Sequence, residues 1–311
     1  MLTVIIALTA NALIALAKSV VAAFTGSASM VAEAAHSWAD TGNEIFLLIA
    51  ERRGARPRDK SHLLGYGRDS YVWSMFAAFG LFSAGSVLSI WNGIQGFSAD
   101  NEESPNYLWA YVVLGVAFVL EGISFLQARR ETRAGAAKFG LRPLRYIAQT
   151  SNPTLRAVFF EDAAALTGLI IAGLGVGLHQ ITGDARYDAA GSILVGLLLG
   201  VLAIFLISRN RDFLVGQEVG SWFGDRARAA LREMPEVEDV TFFHMEFVGP
   251  LKVFVVAAVD LTGNRPESEV AAELRRIEER LESIETVERA IVTVGTPAVK
   301  GEGQATSPHS P

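Results

Sequence analysis

The chain contains no cysteine. That excludes disulfides, thiolate metal sites and thiol redox chemistry, so any metal must be held by imidazole, carboxylate, carbonyl or water. Charge is scarce as well. Of 311 residues 19% are charged and 50% hydrophobic, and the mean hydropathy is +0.31. A P-loop, a G-x-G-x-x-G after a strand and an H-E-x-x-H are all missing, and no nucleophile sits beside a base of its own, so an enzyme is not expected. The net charge of −6 is too unevenly placed to name a partner by itself.

What is present in quantity is apolar sequence, in blocks close to the roughly 20 residues that cross a bilayer. Six spans fit, at 2–24, 30–50, 71–97, 107–128, 157–178 and 187–208. The first begins right after Met1 without a positively charged leader, and reads as a span rather than a cleaved signal. Loop charges orient the set. The segments ERRGARPRDKSHLLGYGRD, RRETRAGAAKFGLRPLRYIAQTSNPTLR and SRNRD are rich in Arg and Lys, whereas TGSAS, SADNEESPN and HQITGDAR carry only Arg186. Positive loops stay inside, which puts both termini in the cytoplasm.

Past Ser208 the pattern changes. VGSWFGDRARAALREM reads as an amphipathic helix ended by Pro235, and VEDVTFFHMEFV and LKVFVVAAVDL read as strands joined at Gly249 and Pro250. Val270, Leu274, Ile277 and Leu281 mark one face of a second helix, and VERAIVTV a last strand. The order αββαβ suits a small α+β domain with helices on one face of a sheet. The tail GEGQATSPHSP has no apolar anchor and is expected to be disordered.

Ionisable residues interrupt the spans. His36, Asp40 and Glu44 follow one another at intervals of four in the second span, on one helical face, with Asn43 beside them. Each such group costs about 2.5–3.5 kcal/mol at bilayer depth on insertion scales, so a stripe of them marks a site or pathway. The fifth span carries Glu161 and Asp162, about 100° apart on a helix, so that only one of them points squarely at the second span. A His and a carboxylate four apart grip a divalent ion from a single face. Lys18 in the first span and Glu121 in the fourth are expected to form a buried structural charge pair, the alternative being that Glu121 belongs to a proton path. Gly173-x-x-x-Gly177 and Gly196-x-x-x-Gly200 suit close helix packing. His244, alone on a strand, reads as a surface or packing residue rather than a ligand.

HSWADTGNE in the second span, GYGRDSYVWS before the third, the acid of the fifth and YDAAGSILVGLLLG of the sixth together resemble the cation diffusion facilitator family, up to about Val294. The resemblance implies a polytopic α-helical membrane protein of six transmembrane helices with a C-terminal cytoplasmic ferredoxin-like α+β domain: residues 1–208 for transport, 209–296 for dimerisation and 297–311 as a tail. It implies that His36, Asp40 and Asp162 bind metal between the second and fifth spans. Most members place a His or Asp four residues before that last acid. Here the position is Val158, and Glu161 precedes Asp162 instead, as in the branch that includes the animal mitochondrial zinc transporter. Glu161, Asn43, Glu44 or water are the candidates to complete the site or to carry protons. The family's regulatory zinc histidines in the soluble domain are replaced near Thr241 and Ala257 or Ala258.

The activity so implied is export of a divalent cation in exchange for protons. Zn2+ comes first, with Mn2+, Fe2+ and Co2+ as alternatives for an oxygen-rich site. No catalytic cofactor and no nucleic acid are expected. The expected setting is a homodimer in the lipid bilayer of a bacterial inner membrane, and the competing reading is a non-transporting membrane scaffold or partner subunit on the same fold.

Overall fold

The computed structural model describes residues 2–97 and 107–295; the loop SADNEESPN and the expected tail lie outside them. Among the described residues the chain runs through α1 (Leu2–Thr25), α2 (Ala28–Gly54), α3 (Asp69–Gly80), a π-helical stretch (Leu81–Val87), α4 (Leu88–Gly96), α5 (Tyr107–Lys138), α6 (Pro143–Gln149), α7 (Pro153–Thr182) and α8 (Arg186–Leu214). With α3, the π stretch and α4 continuous, these are the six expected spans plus the short α6. Four stretches, Asp69–Gly96, Tyr107–Lys138, Pro153–Thr182 and Arg186–Leu214, are long and apolar enough to cross a membrane by length and composition. The helix α1 contributes the shorter apolar piece Asn11–Thr25, and α2 is diluted by Glu33, Asp40 and Glu44.

Local chemistry sets the helix ends. Ser27 caps α2, its hydroxyl accepting from the Met30 N–H at 3.1 Å. Asn152 does the same for α7 through the Leu155 N–H, with Pro153 at the first helical position, and Gly183 closes that helix at φ 70°. The beginning of α2 is also tied to the beginning of α8. Buried Asp188 accepts from the Ser27 hydroxyl at 2.9 Å and the Ser29 N–H at 3.3 Å, where a carboxylate suits the positive end of the helix dipole.

Two elements differ from the sequence expectation. The helix α5 continues ten residues past Ala128, to Lys138, because ARRETRAGAAK is rich enough in strong helix formers to carry Gly135, and the chain leaves the helical region only near Gly140 at φ 64°. In the third span the ladder loosens into a π-helix, where the Ser83 hydroxyl donates to the Phe79 carbonyl and the Ser89 hydroxyl to the Gly85 carbonyl.

In this bundle α2 is central, packing against α1, α3, the π stretch, α4, α7 and α8. One core cluster joins Ala32, Ala39 and Leu47 of α2 to Ala77 and Ala78 of α3, Ala157 and Ala164 of α7, and Val195, Leu199 and Ala203 of α8. Alanines dominate it, as expected where helices associate in lipid through close van der Waals contact. A close backbone approach lies at Gly196, where a Cβ would come within 2.9 Å of the Ser86 carbonyl and the Ile90 nitrogen.

A second compact unit begins at Gly216, a few residues beyond the expected boundary at 208, because α8 continues through Leu214. It contains α9 (Ser221–Arg232), β1 (Val237–Gly249), β2 (Lys252–Leu261), α10 (Glu267–Glu282) and β3 (Val287–Val294), the expected α+β order. The sheet order is β1-β2-β3, with β2 and β3 parallel and Val255 opposite Ala290. In β2 every second residue is buried, Val253, Val255, Ala257, Val259 and Leu261, the period of a strand with one covered face. Ile277 of α10 and Leu231 of α9 complete that core. Thr241 spends its hydroxyl on the Ala258 carbonyl at 3.1 Å, and Ala257 is fully buried, so both positions serve packing.

Candidate functional site

On α2 the interval of four brings His36 and Asp40 together, with His36 Nε2 at 3.2 Å from Asp40 Oδ2. His36 is buried, and neither of its ring nitrogens has a hydrogen-bond partner; Asp40 Oδ1 and Glu44 Oε2 lack one too. Buried polar atoms are nearly always satisfied. A neutral imidazole nitrogen and carboxylate oxygens converging without donors fit a divalent cation, which accepts lone pairs of that kind.

The two acids of α7 part company, as their 100° separation requires. Glu161 turns to α2, accepting from the Asn43 amide at 3.1 Å, while Asp162 accepts from the Ser124 hydroxyl of α5 at 2.7 Å. Both remain within electrostatic reach of Asp40, as do Glu121 and Lys18. Glu44 accepts from the Asn11 amide of α1 at 2.5 Å. Val158 packs against apolar neighbours. Among the described residues no three His, Asp or Glu side chains close on a single point, so the structure joins His36 to Asp40 and holds Asp162 on the α5 side.

The expected Lys18–Glu121 pair is not formed. Lys18 Nζ lies 3.0 Å from Glu33 Oε2, with both side chains fully buried. Helix geometry decides this, since α1 packs far more extensively on α2 than on α5. Glu33 was missed by the sequence reading, although it stands seven residues before Asp40 and so on the same stripe.

In the second unit, His244 of β1 is partly exposed, its Nδ1 3.0 Å from Glu218 and its Nε2 3.5 Å from Glu246. Each nitrogen meets a carboxylate, and among the described residues these groups form no three-ligand metal site.

Residues 4–215 match the model of the cation efflux transmembrane domain. A protein of Xenopus laevis named proton-coupled zinc antiporter SLC30A9, mitochondrial, is 35% identical over 260 residues, which is 84% of this chain and 46% of the relative. Metal tolerance protein C4 of Arabidopsis thaliana is 37% identical over 234 residues, 75% of this chain and 51% of the relative. The zinc transporter ZitB of Escherichia coli is 25% identical over 233 residues, covering 75% and 68%. The chain thus spans about half the length of the first two.

Proposed function

Starting from a chain that belongs to the cation efflux family, we propose that it exports a divalent metal cation, Zn2+ foremost, in exchange for protons. The observation that carries this is the His36–Asp40 couple, whose buried lone pairs have no donors at membrane depth. In this reading His36, Asp40 and Asp162 hold the ion, with Glu161 and Asn43 lining it from the other side. Ligation needs a neutral imidazole and ionised carboxylates, so protons and metal compete for the same groups. That competition is the coupling: a site that takes up protons releases its ion.

Charge balance supports the same conclusion. Glu33, Asp40, Glu44, Glu121, Glu161 and Asp162 all sit on the spans, and the Lys18 ammonium pairs with Glu33 and acts on Asp40 and Glu121. Uncompensated carboxylates are costly there, so protons or a divalent cation must supply the missing positive charge. The names of the zinc-transporting relatives agree with the choice of ion. In this reading both termini face the cytoplasm from a bacterial inner membrane, and the protein works as a homodimer. The test is Zn2+ flux into proteoliposomes under a pH gradient. Asp40→Ala and Asp162→Ala are expected to abolish it, and flux unaltered in both overturns the reading.

That no three His, Asp or Glu side chains converge among the described residues is what a non-transporting scaffold would also show. Calorimetry separates the two: a scaffold takes up no Zn2+, whereas the transporter binds it in a carboxylate-dependent way.

A further inference from the structure

The Lys18–Glu33 pair is built differently from a self-contained salt bridge. Both side chains are fully buried, yet Glu33 uses one oxygen only; Oε1 is buried without a partner. That oxygen lies against α7 at Gly168, where a Cβ would come within 2.8 Å of it. On the other side, the ammonium carries three donors, and Glu33 is the one acceptor it reaches among the described residues. Its charge also acts on His36, Asp40 and Glu121. A lysine ammonium on a flexible four-carbon stem is itself a cation that carboxylates bind. Released from Glu33, it would still have Asp40 and Glu121 within the reach of its charge.

We propose that Lys18 is a tethered cation able to compete for the acidic site, and that Glu33 holds it aside, which makes Glu33 a positioning residue for ion binding. This rests on the ion-site reading above and adds a role that the ligand set does not contain. Glu33 then acts on the metal without touching it. The substrate cation meets Asp40 unblocked because the protein's own cation is already engaged about two turns away on the same stripe. Gly168 belongs to the device, since a larger residue there would crowd the holding carboxylate.

The experiment is calorimetric titration of Zn2+ into the purified full chain in detergent, with thermal unfolding as the control for folding. A wild-type protein that takes up no Zn2+ removes the ion-site reading, and this proposal with it, before any variant is compared. Given wild-type binding, Glu33→Gln is expected to weaken Zn2+ about tenfold, the scale of one unit-charge interaction in a partly shielded interior. Adding Lys18→Met to it removes the competing ammonium and is expected to bring the affinity back to within about twofold of wild type. A double variant as weak as Glu33→Gln would mean that Glu33 is a ligand or a structural prop, and overturns the proposal. So does a Glu33→Gln protein that binds like wild type. If Glu33→Gln does not fold, Lys18→Met alone decides: binding as tight as wild type or tighter supports the tethered cation, and weaker binding overturns it.

Discussion

Asn43 and Glu161 face each other across the α2–α7 interface, the amide nitrogen donating to the carboxylate at 3.1 Å with both side chains buried. This is the described side-chain hydrogen bond that joins the two helices of the proposed ion site. Asn43→Leu leaves the Glu161 carboxylate buried without its donor, which typically costs about 1–3 kcal/mol. The expected outcome is a lower midpoint of denaturant unfolding in detergent, relieved when Glu161→Leu is added. A pair that does not couple in that double-mutant cycle would remove the interaction.

That interface also shows how far sequence reasoning reaches. Intervals of four on α2 and the isolated acids on α7 are periodic signals, and they mark His36, Asp40, Glu161 and Asp162 without coordinates. Which acid of α7 meets α2 depends on the rotation of one helix about its axis, and no pattern within either helix records it. The partner of Lys18 was hidden for the same reason, since Glu33 and Glu121 are equally acidic and only helix adjacency separates them. The π stretch was illegible because a change of period over Leu81–Val87 is too short to stand out among apolar residues. The sheet domain, by contrast, was readable strand by strand, its β2 alternating without interruption.

Val158 stands one turn before Asp162, packed among apolar side chains. Val158→His adds an imidazole on the face that carries that acid. Nitrogen ligands favour zinc over harder ions such as manganese. The variant is expected to bind Zn2+ more tightly relative to Mn2+, read by competitive titration of the two metals. An unchanged selectivity ratio would place residue 158 outside the ion's reach.

The contact of α8 with the third span predicts a defect of a different kind. Gly196→Ala brings a methyl group against the backbone of Ser86 and Ile90. Overpacking of this sort typically costs about 1–3 kcal/mol. Thermal unfolding should shift downward while calorimetric Zn2+ affinity stays put, because the substitution lies away from His36 and Asp40. A stability equal to wild type would show that the two helices separate freely there.

The loop between α2 and α3 supplies a pH dependence. Asp59 is exposed, and its carboxylate is held below its ordinary value of 3.8, first by the Tyr66 hydroxyl and then by the His62 and Ser61 N–H groups. A depressed folded value means that its contribution to loop order is complete above 3.8 and is lost as pH falls through the lower folded value. In a carboxyl NMR titration, Tyr66→Phe should move the Asp59 midpoint up toward 3.8. A midpoint that does not move would assign the effect to the backbone donors alone.

The tie between Asp188 and Ser27 and Ser29 has a mechanical consequence for α2, the helix that carries His36 and Asp40. A rod that pivots about a clamp moves least beside it and more with distance from it. His36 stands about 13 Å along α2 from Ser27, and Glu44 about 25 Å, at 1.5 Å per residue. A tilt of about 10° about the clamp would carry His36 through about 2 Å and Glu44 through about 4 Å. On such a tilt the stripe of ionisable groups would be a lever with graded travel: His36 would move about half as far as Glu44, whose hydrogen bond to Asn11 would have to break or follow.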